Sequence, residues 1–74
     1  MDYYTYILYS EKLCKFYSGH TSNLSKRIEE HNRGKNKYTK NGIPWTLIKF
    51  FNADSKREAV RLEERIKKRG LKGF

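Results

Sequence analysis

At 74 residues the chain has room for one domain around one small core, because a domain of that size buries only about 60% of its unfolded surface, and a second domain is excluded. Its 36% hydrophobic and 34% charged residues, without repeats or low-complexity tracts, are compatible with a compact soluble fold whose sheet is covered by helices rather than with disorder. Seventeen Lys and Arg against eight Asp and Glu leave a formal charge of +9, which draws polyanions through counterion release and makes nucleic acid the leading partner.

Met1-Asp2 leads straight into a strand, with no charged, apolar and small-residue succession of a signal peptide. Tyr3 to Ser10 alternates bulky side chains, the polar turn Ser10-Glu11-Lys12 follows, and Lys15 to Gly19 supplies a second strand, so the two are expected to pair as an antiparallel hairpin. Cys14 is the only cysteine and cannot form an internal disulfide, which points to a cytosolic protein. Thr21, Ser22 and Asn23 are helix-capping types, and Leu24, Ile28 and His31 recur at helical spacing before Gly34. The pattern predicts a first helix over about residues 22 to 33. Gly34 to Pro44 is turn-prone and basic, an exposed loop by its composition.

Trp45 to Phe51 is a dense apolar and β-branched run suited to a central or well-covered strand. Ser55-Lys56-Arg57-Glu58 has the form of a capping box and opens a second helix that ends at Gly70, with Ala59, Leu62 and Ile66 facing the sheet. The fold class is therefore α/β (α+β): a small, mostly antiparallel three-stranded sheet flanked by helices, in the order β-β-α-β-α. No apolar run nears the roughly 20 residues that span a bilayer, and no amphipathic segment is left without a core to cover, so no membrane partner is expected.

Within this order Tyr6, Tyr17, Gly19, Arg27, His31 and Glu63 stand out. Tyr4-Thr5-Tyr6 and Tyr17-Ser18-Gly19, followed by Arg27, His31 and Leu62-Glu63, resemble the core of the GIY-YIG nucleases, a family that includes homing endonucleases and the N-terminal domain of a nucleotide-excision-repair nuclease. Both tyrosines and the second glycine match, while the leading Gly-Ile of the first motif is replaced by Tyr4-Thr5. The resemblance runs from about Tyr3 to Lys68 and implies a single nuclease domain over residues 1–74. It also implies a metal-dependent endonuclease acting on DNA, in repair or recombination, with weak sequence preference and branched, flapped or single-stranded DNA as expected substrates. DNA ranks above RNA, and no small-molecule cofactor is expected. Phe74 precedes the asparagine that many relatives carry after the glutamate, so low or absent activity is expected if that residue is required.

Glu63 follows Ala59 by four and precedes Ile66 by three, which sets a carboxylate on the core-facing stripe of the second helix, a costly place unless a cation pairs with it. Two readings stay open: an ion pair with a Lys or Arg, or, by the resemblance, the ligand of a single divalent ion. One carboxylate suits Mg²⁺ or Mn²⁺, which keep several waters, and the chain has no His and Cys cluster of zinc spacing.

Arg27 and His31 lie four apart on one helical face and can converge on a phosphate, the guanidinium through paired hydrogen bonds. The alternative is a solvated arginine and a histidine at the core edge. By the resemblance Tyr6 is the base for the attacking water and Tyr17 positions phosphate or water, although the order of the two roles is open. A phenol can act as base only if its pKa is lowered by nearby cations or metal-bound water. His20 either serves the phosphate and its protons or helps to cap the first helix.

Lys35, Lys37, Tyr38 and Lys40 combine cations with a ring, the composition of a surface that tracks a nucleic-acid backbone. Lys67, Lys68, Arg69 and Lys72 form a second basic cluster that also complements the helix dipole. The rival readings are a non-catalytic nucleic-acid-binding module with the same fold and a small charged component of a larger protein complex.

Overall fold

The computed structural model describes residues 2–70; Lys72 of the second basic cluster lies outside them. The chain runs β1 (Tyr3–Ser10), β2 (Lys15–Thr21), α1 (Leu24–Asn32), a short 3-10 turn (Lys40–Gly42), β3 (Trp45–Ala53) and α2 (Lys56–Arg69). The order is the expected β-β-α-β-α, and the three strands form an antiparallel sheet in the spatial order β2-β1-β3. No helix among the described residues is long and apolar enough to cross a membrane.

β1 is the middle strand, and both of its faces are covered. Thr5, Tyr6, Ile7 and Leu8 are all buried in succession. Side chains alternate across a strand, so Thr5 and Ile7 point one way and Tyr6 and Leu8 the other. The helices divide the two faces between them. The Thr5 hydroxyl donates to the Ala59 carbonyl at 2.7 Å, which puts α2 on the Thr5 face. Tyr6 Oη lies 3.0 Å from His31 Nε2, which puts α1 on the Tyr6 face. The core on that face is Tyr6, Leu8 and Trp45, with Tyr17, Leu24, Ile28, Ile43 and Leu47 packed around it.

The caps explain the helix bounds. Asn23 accepts from the Lys26 N–H at 3.2 Å, so α1 begins at Leu24, two residues later than the run of capping types suggests. Ser55 accepts from the Glu58 N–H at 3.3 Å and opens α2 where expected. Gly34, at φ 82°, supplies the left-handed residue that turns the chain away after α1.

Two expectations are corrected. β3 is an edge strand and not a central one: among the described residues it pairs with β1 alone, and Ile48 and Phe50 are each 48% exposed. A bulge leaves Ile48 without a partner, since Ile7 faces Lys49 and Leu8 faces Leu47. The 34–44 segment is also not wholly an exposed loop. Thr39 is 1% exposed, Gly42 is buried, and the Trp45 indole N–H donates to the Thr39 carbonyl at 2.6 Å. Asn32 completes the anchorage by pairing with both backbone groups of Trp45, at 2.6 and 3.1 Å.

Candidate active site

A cavity of about 680 Å³ is lined by Tyr6 from β1, Tyr17, Gly19 and His20 from β2, Arg27 from α1 and Glu63 from α2. The topology explains the convergence. Gly19 is paired with Tyr6 and Tyr17 with Leu8, so both lie on the α1 face, whereas His20 is paired with Thr5 on the α2 face. Among the described residues β2 has no outer neighbour, and the cavity straddles that edge, where residues from both faces meet.

Close approach at this edge requires glycine. A Cβ built on Gly19 would collide with Tyr6 Oη and lie 2.7 Å from Tyr6 Cζ. Because Tyr6 is 1% exposed and held by His31, it has nowhere to retreat. Gly19→Ala is expected to cost about 1–3 kcal/mol, the usual range for overpacking, read as a lower urea midpoint at unchanged m-value. An unchanged midpoint would mean that Tyr6 is free to move.

Tyr6 heads a chain of buried polar groups. Its hydroxyl meets His31 Nε2 at 3.0 Å, and His31 Nδ1 meets Thr39 Oγ1 at 2.8 Å. The Thr39 hydroxyl lies 3.4 Å from the Asn36 carbonyl, a group that can only accept. The assignment that satisfies every member has Thr39 donating to Asn36 and accepting from His31 Nδ1–H, which leaves the Nε2 lone pair for the Tyr6 proton. His31 is fully buried, and that burial, reinforced by Arg27, holds its pKa below the ordinary 6.5 although Glu30 opposes the shift. It is therefore neutral at pH 7, as the assignment requires.

A linkage follows. The unfolded chain gains a proton on His31 below its ordinary pKa while the folded chain resists it, so stability is full above pH 6.5 and falls as pH drops from there through the folded value. A proton NMR titration is expected to place the His31 midpoint below 6.5; a midpoint at or above it contradicts the neutral, accepting imidazole.

Burial also pushes the Tyr6 phenol up, and Arg27 beside it only partly offsets this. The lowered phenol expected of a free-standing base is therefore not realised by the protein groups alone. His31 does not line the cavity. It stands behind Tyr6, and its ring is packed edge-on against both Tyr6 and Tyr17, at centroid distances of 5.9 and 5.3 Å.

Glu63 has partners on both oxygens: His20 Nδ1 at 2.8 Å from Oε1 and Lys67 Nζ at 2.8 Å from Oε2. Burial raises its pKa, but the hydrogen bonds from Lys67 and His20 outweigh that, and the carboxyl stays below its ordinary range. It is an anion at neutral pH, partly sheltered, at the cavity wall. Lys67 is largely exposed and can swing into solvent at little cost. The donor set suits a hard cation that brings its own waters. The carboxylates on the wall are Glu63 and Glu30, the latter 3.5 Å from Arg27, and among the described residues no group of three His, Cys, Asp or Glu could cage an ion unaided.

Two departures from the motifs of that resemblance, Thr5 in the first and Ser18 for Ile in the second, are legible in the packing. Thr5 finds the Ala59 carbonyl, whereas the Ser18 hydroxyl is buried with no partner among the described residues, an arrangement that costs about 1–3 kcal/mol relative to a satisfied group. Lys35, Lys37, Tyr38 and Lys40 are exposed and none lines the cavity; the Lys37 ammonium sits 5.4 Å from the centre of the Tyr38 ring. Sequence reasoning misses the contributions of Thr39 and Lys67. Lys67 has a signal, its four-residue spacing from Glu63; Thr39 has none, since its contact with His31 exists only after the 39–42 turn docks.

The chain matches the model of the GIY-YIG catalytic domain over residues 2–73. It is 45% identical over 53 residues to a UPF0213 protein of Halobacterium salinarum, covering 70% of this chain and 69% of that one. A UPF0213 protein of Lactococcus lactis is 43% identical over 64 residues, covering 84% and 60%. The UPF0213 protein BH0048 of Halalkalibacterium halodurans is 38% identical over 71 residues, covering 90% and 71%. The solution NMR structure of BH0048 superposes with a TM-score of 0.55 at 36% identity, covering 92% of this chain and 72% of that one. The chain thus spans about 60 to 71% of the length of these relatives.

Proposed function

Since the chain belongs to the GIY-YIG catalytic-domain family, we propose that it is a divalent-metal-dependent endonuclease that hydrolyses DNA phosphodiester bonds, with weak sequence preference, in repair or recombination. The observation that carries this reading is the convergence of Tyr6, Tyr17, His20, Arg27 and Glu63, from four separate elements, on one cavity in a chain of charge +9.

Arg27, on the cavity wall, would hold the non-bridging oxygens of a phosphodiester and gain strength as their charge rises in the pentacovalent transition state. Tyr6 takes a proton from the attacking water while its own proton passes to His31 Nε2, so no free phenolate need form. This relay reconciles a catalytic role with a phenol that burial disfavours as an anion. Tyr17, at the cavity wall above His31, orients the water or the phosphate. His20 fixes the Glu63 carboxylate through Nδ1. Glu63 would hold Mg²⁺ or Mn²⁺, whose charge supplies stabilisation for the departing 3′-oxygen.

One observation favours a second reading, a non-catalytic binding module: both Glu63 oxygens are already engaged, as in a purely structural ion pair. Labelled linear, branched and single-stranded DNA and RNA, incubated with Mg²⁺, with Mn²⁺ or with chelator, separate the two. Cutting that needs the ion supports the nuclease, and salt-sensitive binding without cutting in any condition supports the module.

A further inference from the structure

The apolar surface beside the cavity has no role in the chemistry just described. Phe50 lies directly opposite Tyr6 in the β1–β3 register and on the same face, yet it is 48% exposed. Its ring meets that of Tyr4 edge-on, with centroids 6.1 Å apart and planes at 69°. Tyr4, Leu24 and Phe50, with Ser22, Asn23 and Ser25, line a groove of about 340 Å³. Ser22 and Asn23 also line the catalytic cavity, so the two depressions meet across the start of α1.

Resting on the nuclease reading, we propose that Tyr4, Leu24 and Phe50 form a docking groove for an unpaired nucleobase adjacent to the phosphodiester held in the catalytic cavity. The occupant follows from the surroundings. Lys26 and Arg27 stand in the wall of the adjoining cavity, where they attract a phosphate backbone, and a strand whose phosphate sits there carries a base within reach of the shared Ser22–Asn23 wall. An aromatic face gains energy from any base, but only from one outside a duplex stack. Single-stranded, frayed or flapped ends are therefore the substrates that use this groove. A second copy of the chain is a poorer occupant, because two molecules of charge +9 repel.

The test uses the full chain in chelator, so that binding is read without cleavage. The probes are single-stranded DNA carrying 2-aminopurine at successive positions and the matching duplex. The wild type is expected to quench 2-aminopurine at one position. Phe50→Ala should lose that quenching and weaken single-strand binding about 5- to 100-fold, with the duplex affinity and the salt slope unchanged. Phe50→Leu keeps an apolar side chain on β3 and hence the fold, but offers no ring, and it should lose the same quenching. Undiminished single-strand binding by both variants overturns the proposal, as does an equal loss on single strand and duplex, or a change confined to self-association. A protein that passes this binding test yet cuts nothing with Mg²⁺ or Mn²⁺ would remove the nuclease reading and leave the groove standing.

Discussion

Glu63→Gln is expected to lower metal-dependent cleavage on the order of 10³-fold, because an ion that stabilises transition-state charge contributes several kcal/mol and the amide is a poor ligand for it. The substitution preserves shape, and the amide oxygen can still accept from His20 Nδ1, now 2.8 Å from Oε1. The fold should survive, since the ion pair that is lost involves a largely exposed Lys67. DNA binding in chelator should stay equal or tighten, because a negative charge has left the cavity wall. Two measurements decide the matter: cleavage rate, and Mn²⁺ binding followed by electron paramagnetic resonance. A variant that binds Mn²⁺ and cuts as the wild type does would return Glu63 to the structural role that its contacts with Lys67 and His20 also allow. Lys67→Met separates the roles further. If the carboxylate serves the ion, freeing Oε2 should tighten Mn²⁺ binding; if it serves only the fold, nothing is gained.

What the sequence discloses here is local, and what it hides is made by distant contacts. The elements are legible because alternation in β1, the caps Asn23 and Ser55, and Gly34 each act within a few residues. The placement of β3 is not, since a run holding Trp45, Leu47, Ile48, Phe50 and Phe51 shows only that a strand is apolar. It does not show how many neighbours the strand has, and Phe50 is half exposed in a position that reads as core. The basic 34–44 segment misleads for a related reason: Thr39 looks like one more polar loop residue, and only docking of the turn reveals it as the partner of His31. Glu63 announces itself as a carboxylate on an apolar stripe, and Lys67 can be read from its spacing. His20 lies 43 residues away from Glu63, and no periodicity connects them. The departures at Thr5 and Ser18 are instructive in opposite ways, because one hydroxyl acquired a helix carbonyl and the other acquired no partner among the described residues.

Tyr6→Phe is expected to reduce cleavage about 10²- to 10⁴-fold, the usual span for removing a general acid–base group. It removes one oxygen from a site 1% exposed, and so leaves His31 Nε2 buried without its partner, at a cost of about 1–3 kcal/mol in stability. The two losses must be separated, and the imidazole makes this possible. If the water's proton moves to Tyr6 as the Tyr6 proton moves to His31, the two residues form one device, and each is useless without the other. His31→Gln should then impair cleavage about as much as Tyr6→Phe, and the double variant should be little worse than either, as groups that act as a unit are strongly non-additive. The pH profile gives a second readout. Wild-type activity should fall as pH drops through the folded pKa of His31, which lies below 6.5, because a protonated Nε2 cannot accept; the residual activity of Tyr6→Phe should not follow that limb. Tyr17→Phe should cost less, since its ring keeps the edge-on contact with His31 when the hydroxyl is gone. Penalties that multiply in the Tyr6→Phe, His31→Gln double variant would mean that His31 only props the phenol, and that the water's proton leaves by another route.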